Sequence, residues 1–482
     1  MRAIAIGASI FLVFVAAAAG SGPATSQKAL EAPRPAGQTQ GNALVQQVAC
    51  SSATRCAALG VSLYTEQAGT WKASRKPTIA HAGPANLRSL ACPAAGRCVA
   101  VGMAGLQHVV AANENGRDWT LAALGLPAGA APIDAHGGPQ PSLGSVSCSS
   151  AGNCLAVGGY TGGDRMTHPL LVAENGGTWG SGADGDWLLP ANAAKSPDPN
   201  NPGVGAGLSF VSCPAAGECT AVGSYSNRDA LDGDYGWVVS ESGGRWQSGA
   251  EVSLPANAST YGNLAVGASP FFGFTGLSCP SPGNCTAVGG YENTEGGEEG
   301  LILTERDGVW WRGLEAPRPA KGIPNIEPNA FETPITAVSC SAPADCSAVG
   351  WYVAGKSHSR HGLLLREQGG AWRASALALP AKAKAPGGVY LTSVACPSRG
   401  NCVAVGYYAG GGKTHGLVVR ERGGTWARAV AAALPEGAAP ARRSHTFLDS
   451  VTCPSKSACT AGGYYADRSG RIQGLLIALR LR

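Results

Sequence analysis

The chain has 482 residues, 44% hydrophobic and only 14% charged, with a formal charge of +5. The 70 Gly and 32 Pro exclude an architecture of long amphipathic helices, and the small, scattered basic charge excludes a protein that tracks a phosphate backbone. The length suits several ordinary domains or one large repeat array.

The first element is a targeting segment. Met1-Arg2 supplies one positive charge, Ala3 to Ala19 is apolar apart from Ser9, and the small residues Gly20, Ser21, Gly22 and Ala24 follow. Residues 1–24 are read as a secretory signal, with an uncleaved anchor as the alternative because the apolar run approaches a span in length. The mature chain, 25–482, is expected outside the cytoplasm, secreted or at the cell envelope, with no further membrane span and as a monomer.

Sixteen cysteines then fall into eight C-x5-C pairs. In chain order Cys50 pairs with Cys56, Cys92 with Cys98, Cys148 with Cys154, and Cys213 with Cys219. The second half repeats the spacing, Cys279 with Cys285, Cys340 with Cys346, Cys396 with Cys402, and Cys453 with Cys459. In an exported chain these read as disulfides. Each would clip one hairpin with Cα atoms ~4.5 Å apart and contribute roughly 2 kcal/mol. Zinc would need two pairs to converge from separate repeats, so no metal and no cofactor is expected.

Around each pair one phrase returns, as in LSCPSPGNCTAVGGY (277–291) and VACPSRGNCVAVGYY (394–408). Each unit predicts four strands, a to d. Strand a ends at the first Cys, and strand b has the form C-x-A-V-G-x-Y. Strand c is an apolar run such as Leu301-Ile302-Leu303, and strand d follows a Gly turn to a Trp. The c runs are apolar on both faces, which a sheet stacked between two other sheets requires. The reading is all-β, a single β-propeller of eight four-stranded blades, with seven blades as the alternative because the first unit is short.

The eighth unit stops after strand c. Residues 30–36, Leu-Glu-Ala-Pro-Arg-Pro-Ala, repeat 314–320 identically, and the second copy lies in the d region of unit five. Segment 28–36 is therefore expected to supply the missing strand d of blade eight, pairing with 447–482 and shutting the ring.

The c–d turns carry a second phrase, as in Glu174-Asn175-Gly176-Gly177-Thr178-Trp179 and Glu421-Arg422-Gly423-Gly424-Thr425-Trp426. It resembles the Asp-box (BNR) hairpin of sialidase-like β-propellers, with Glu where that family has Asp. The resemblance implies a structural turn anchored by its Trp, not a catalytic group. The C-x5-C-x-A-V-G phrase also resembles secreted bacterial repeat proteins of undefined activity.

Function is expected on the face formed by the variable b–c and d–a loops, which read as a binding platform for a glycan, a cell-wall component or a protein ligand. Tyr160, Tyr225, Tyr291, Tyr352, Tyr408 and Tyr465 end six b strands. They are either a ring of stacking platforms for a ligand or repeated packing residues between blades. His168, His361 and His415 precede strand c in equivalent places, too far apart on separate blades to share a metal. Arg165, Arg228 and Arg360 are loop cations with nothing to distinguish a catalytic set. No nucleophile or phosphate motif stands in a suitable context, so an enzyme is not the favoured reading. A diverged sialidase-like glycoside hydrolase and a structural or assembly-factor propeller are the alternatives.

Overall fold

The computed structural model describes residues 26–481, except 35–43, 75–77, 80–82, 106–107, 117, 132–140, 195–204, 228–229, 260–270, 324–333, 356–358, 382, 384–386 and 441–444. Residues 1–24, read above as a secretory signal, and Arg228 lie outside these. The chain forms eight antiparallel sheets in sequence order, each built on strands a–b–c–d. Blade 3 is typical, with strand a at Ser142–Ser150, b at Asn153–Thr161 and c at Thr167–Asn175. Strand a of each blade packs against strand a of the next, and the strand a of blade 1 (Val45–Ser52) packs on that of blade 8 (Thr446–Ser455), so the array is a closed ring of eight blades. Blade 1 is short and complete.

The sequence phrases have local physical causes. Strand a carries a bulge in every blade, as between Leu143 and Ser145, and its backbone there crowds the Gly of A-V-G on strand b. A Cβ at Gly158 would lie 1.9 Å from the Ser142 carbonyl oxygen, and one at Gly406 would lie 2.0 Å from that of Tyr390. Only Gly fits. The Ser residues around the first Cys tie blade to blade. The Ser145 hydroxyl accepts the Val211 N–H at 3.2 Å and the Ser147 hydroxyl accepts that of Cys213 at 2.9 Å. Ser212, Ser278 and Ser339 repeat the second bond to Cys279, Cys340 and Cys396. One step along, Thr275, Thr336 and Thr392 donate to the carbonyls of Ile335, Leu391 and Leu448 on the following blade. Strand a, whose edge is otherwise paired within the sheet only by the short strand Thr78–Ile79 of blade 2, thus meets its neighbours through side chains.

All eight disulfides are formed within their own hairpins. Cys50 is bonded to Cys56, Cys92 to Cys98, Cys148 to Cys154, and Cys213 to Cys219. Likewise Cys279 is bonded to Cys285, Cys340 to Cys346, Cys396 to Cys402, and Cys453 to Cys459. Their Cα separations are 3.9 to 4.1 Å, closer than the ~4.5 Å expected from a regular ladder. The second cysteine of each pair opens strand b and is buried: Cys56, Cys98, Cys154, Cys219, Cys285, Cys346, Cys402 and Cys459 all lie inside the blade stack. No two pairs meet across a seam, so each bridge staples one hairpin only.

The c strands are buried on both faces, as in Leu170, Leu171 and Val172 of blade 3. The box Trp lies directly opposite its Glu, as in Glu174↔Trp179. Six of these glutamates are at most 7% exposed, and burial raises the pKa of each.

The ring is shut by Ser26–Glu31, which pairs antiparallel with Ile472–Arg480. Leu30 lies opposite Leu476 and Glu31 opposite Leu475, as Leu314 lies opposite Ile302 and Glu315 opposite Leu301. Ala32 and Ala316 then donate equivalent 2.8 Å bonds to Gly474 and Gly300. The first three residues of the two heptapeptides therefore occupy one register in two blades, and residues 35–36 lie outside those described. The strand starts two residues earlier than expected and ends at Glu31, because Pro33 and Pro35 have no N–H to donate.

Candidate functional site

The two faces separate as expected. The c–d turn stacks on the a–b turn of its own blade, the Gly177 N–H donating to the Gly152 carbonyl at 2.9 Å. On the opposite face the d–a loops reach forward to the next blade. In Pro127–Ala130, Pro190–Ala193, Pro255–Ala258 and Pro435–Ala438 a tight turn follows the recurrent Leu-Pro, and its last Ala bridges the b–c loop of the following blade.

The six tyrosines pack in the apolar clusters shared by neighbouring blades. Tyr160, Tyr225, Tyr291, Tyr352 and Tyr465 are at most 8% exposed, and Tyr408 is half-buried against the blade 7 core. Three of their hydroxyls show the engagement. Tyr225 donates to Glu251 at 2.7 Å and lies 3.0 Å from Asn192 Oδ1. Tyr291 meets Asn257 and Glu315 in the same way, and Tyr465 donates to Glu31. Strand b is second from the axis and covered on both faces, so its last side chain enters the seam between blades. Opposite these tyrosines on strand c stand His168, Tyr235, Glu299, His361, His415 and Gln473, and the three imidazoles pack on the Tyr rings at 5.0 to 5.5 Å. The three histidines therefore sit in three separate blades.

One blade breaks the pattern. Strand d of blade 4 runs from Glu251 through three residues to Pro255, whereas blade 3 has five residues between Asp184 and Pro190. The two extra residues form a 3-10 turn at Asp186–Leu188. Leu188 is fully buried in the core shared by blades 3 and 4, and its carbonyl accepts the Gly249 N–H at 2.7 Å. This anchor levers Trp187 outward, 63% exposed, and its indole N–H donates to the Asp184 carbonyl at 3.0 Å.

Beside Trp187, His168 is held from both sides. Nδ1 lies 2.8 Å from Asp186 Oδ2 and Nε2 lies 3.0 Å from Asp164 Oδ1. The Asp186 bond is the main cause that raises the His168 pKa to about 9 against the effect of burial, with Asp164 adding to it. Burial alone would raise Asp164. The His168 bond and the Met166 N–H outweigh it and leave the carboxyl below its usual range. At neutral pH the unit is an imidazolium clamped between carboxylates. Asp164 sits on a b–c turn whose next residue, Arg165, has φ of 70°, where blades 5 and 8 place Gly296 and Gly470. A left-handed non-Gly residue costs about 1 kcal/mol, so this loop tolerates strain its counterparts avoid.

These residues wall a cleft of about 480 Å³ between blades 3 and 4, floored by Met166, Ala193 and Ala194. Its described lining contains no arginine. His168, Asp184 and Asp186 each offer an atom within 4.8 Å of the others. Two of those groups already satisfy one another, so the set reads as a closed hydrogen-bonded unit rather than a metal centre. The signal that would have found the site was the longer interval before Leu-Pro in blade 3, combined with Trp187 outside the repeat's Trp position.

The chain matches no family model and no curated protein. Among solved structures it is similar to the fucose-binding Aleuria aurantia lectin, at 12% identity over 69% of this chain and 94% of that one with a TM-score of 0.35. It is also similar to the Xanthomonas campestris GH74 xyloglucanase, at 11% identity over 93% and 81% with a TM-score of 0.39. A neuraminidase-like protein from a bat influenza A virus matches at 9% identity over 73% and 91% with a TM-score of 0.34.

Proposed function

We propose that the protein is an exported binding propeller whose blade 3–4 cleft holds a carbohydrate. The observation that carries this is Trp187, an exposed indole fixed by its own N–H bond beside Asp164 and Asp186, whose carboxylates are oriented by one imidazolium. Such a site offers a flat apolar face for the C–H side of a sugar ring and immobile acceptors for its hydroxyls. Eight formed disulfides fit an oxidising compartment, and no helix among the described residues is long and apolar enough to cross a membrane.

Hydrolysis is the less favoured chemistry. A glycosidase needs one carboxyl group held protonated, and Asp164, held below its usual range, does not supply it. The test is a glycan array with the full chain, followed by titration of any hit against Trp187→Ala and Asp186→Asn. Loss of a stacked indole should weaken binding by about 10-fold or more. Wild-type affinity in Trp187→Ala would remove the cleft from the mechanism, and silence across all glycans would remove the sugar.

A further inference from the structure

The disulfide face carries a second, independent feature at the seams between blades. The residue just before the box Glu on strand c points at the next blade. In chain order these residues are Thr65, Asn113, Ala173, Ser240, Thr304, Arg366 and Arg420, and Ala478 holds the equivalent place in blade 8, where Leu479 stands instead of the Glu. Four of these residues, Thr65, Asn113, Ser240 and Arg366, meet the box of the following blade. Thr65 accepts from the Trp119 indole at 3.1 Å, Asn113 accepts from Trp179 at 3.2 Å, and Ser240 donates to Glu305 at 3.2 Å. Arg366 forms an ion pair with Glu421, and in the preceding seam Arg306 reaches Glu367. Both acceptor carboxylates are at most 1% exposed.

Ala173 and Ala478 have nothing to offer, and at both seams there is a cavity. The one at Ala478 measures about 200 Å³ and lies between blades 8 and 1, with Lys28 and Arg480 among its lining. The one at Ala173 measures about 170 Å³, between blades 3 and 4, and is lined by Glu174, Glu241 and Trp246 with no cation among its described lining. Among the described residues no side chain hydrogen-bonds the Glu241 carboxylate. Glu174 in the same wall is 5% exposed, and its Oε2 has no hydrogen-bond partner, as in Glu66, Glu305 and Glu367. Burial, reinforced by Glu218, raises the pKa of Glu241, as expected for an acid without its counter-ion.

We infer that the blade 3–4 seam on the disulfide face is a receptor slot for one guanidinium group, carried by an arginine of a partner chain. The site is what the blade 6–7 seam would become if Arg366 were cut back to its Cβ. A planar guanidinium and the first methylenes of its stem fill such a cavity, face Trp246 and donate to Glu241, the geometry that the chain itself uses twice. The slot lies on the face opposite the Trp187 cleft, so the two proposals stand or fall separately.

The test uses the full chain, n-butylguanidinium as probe and neutral n-butylurea as its shape control. Wild type should bind the guanidinium and not the urea, with binding weakened by added salt. Glu241→Gln should weaken it about 10-fold or more, and Ala173→Arg should fill the slot and abolish it. Arg366→Ala, which opens the equivalent seam, should gain a second equivalent of bound probe. Equal binding of the urea, or binding unchanged in both Glu241→Gln and Ala173→Arg, overturns the slot. A peptide carrying one arginine should bind more tightly than the free alkylguanidinium; a slot that takes the small cation and rejects the peptide overturns the partner-chain source.

Discussion

Replacing His168 by Gln removes the imidazolium that Asp164 and Asp186 share, and the effect should depend on pH in a defined direction. The imidazole pKa is the usual 6.5 in the unfolded chain and about 9 in the folded one. The folded state therefore binds this proton more tightly. The resulting stabilisation is fully present below pH 6.5 and is lost as the pH climbs to 9. Converted at 1.36 kcal/mol per pH unit, the difference sets a ceiling of about 3.4 kcal/mol. The partner carboxylates are 43% and 45% exposed, so solvent screens them and about 1–2 kcal/mol is the expected share. Urea denaturation of wild type and His168→Gln at several pH values between about 6 and 10 reads this directly. Asp449, which burial pushes up to about 7, contributes equally to both proteins and cancels in the difference. The gap should be widest near pH 6 and narrow by about 1–2 kcal/mol near pH 10. A gap that stays constant across that range, or a His168 NMR titration midpoint at or below 6.5, would refute the clamp.

Two further outcomes test the architecture. Gly158→Ala places a methyl group 1.9 Å from a carbonyl oxygen of strand a, so it must part the two inner strands of blade 3 and should cost several kcal/mol in a denaturation curve. Removing residues 26–34 leaves the c strand of blade 8 as an open edge. The truncated chain should lose cooperative unfolding and associate in size-exclusion chromatography, while a monomer of wild-type stability would show that the closing strand is dispensable.

Much of the fold was legible because repetition converts weak signals into strong ones. A single C-x5-C or A-V-G says little; eight of the first and six of the second at matching intervals specify a hairpin, its bulge and its stacking. The copied heptapeptide even carried the register of the closing strand. The tyrosines show the limit. A recurrent aromatic at a strand end has the same appearance whether it faces a channel or a seam, and only the position of strand b between two covered faces decides. The blade 3 site was harder to see for the opposite reason: it rests on an irregularity, two extra residues that turn Leu188 inward and Trp187 outward, and reading for repeats discounts irregularities. The Ser and Thr contacts between blades were hidden because their partners are backbone groups some sixty residues away, as with Ser145 and Val211.

The closing strand also constrains how this polypeptide can be made. Glu31 and its partner Tyr465 are 434 residues apart, so an early-emerging segment must wait for nearly the whole chain before it finds its sheet. Seven blades can assemble by local contacts, but sealing is a long-range event of the kind that sets a slow folding rate. Eight rapidly formed sulfur crosslinks cannot shorten that delay, since each joins residues only six apart. Until the final strand is released the molecule carries two loose edges, and that interval is when a chaperone or a protease would meet it.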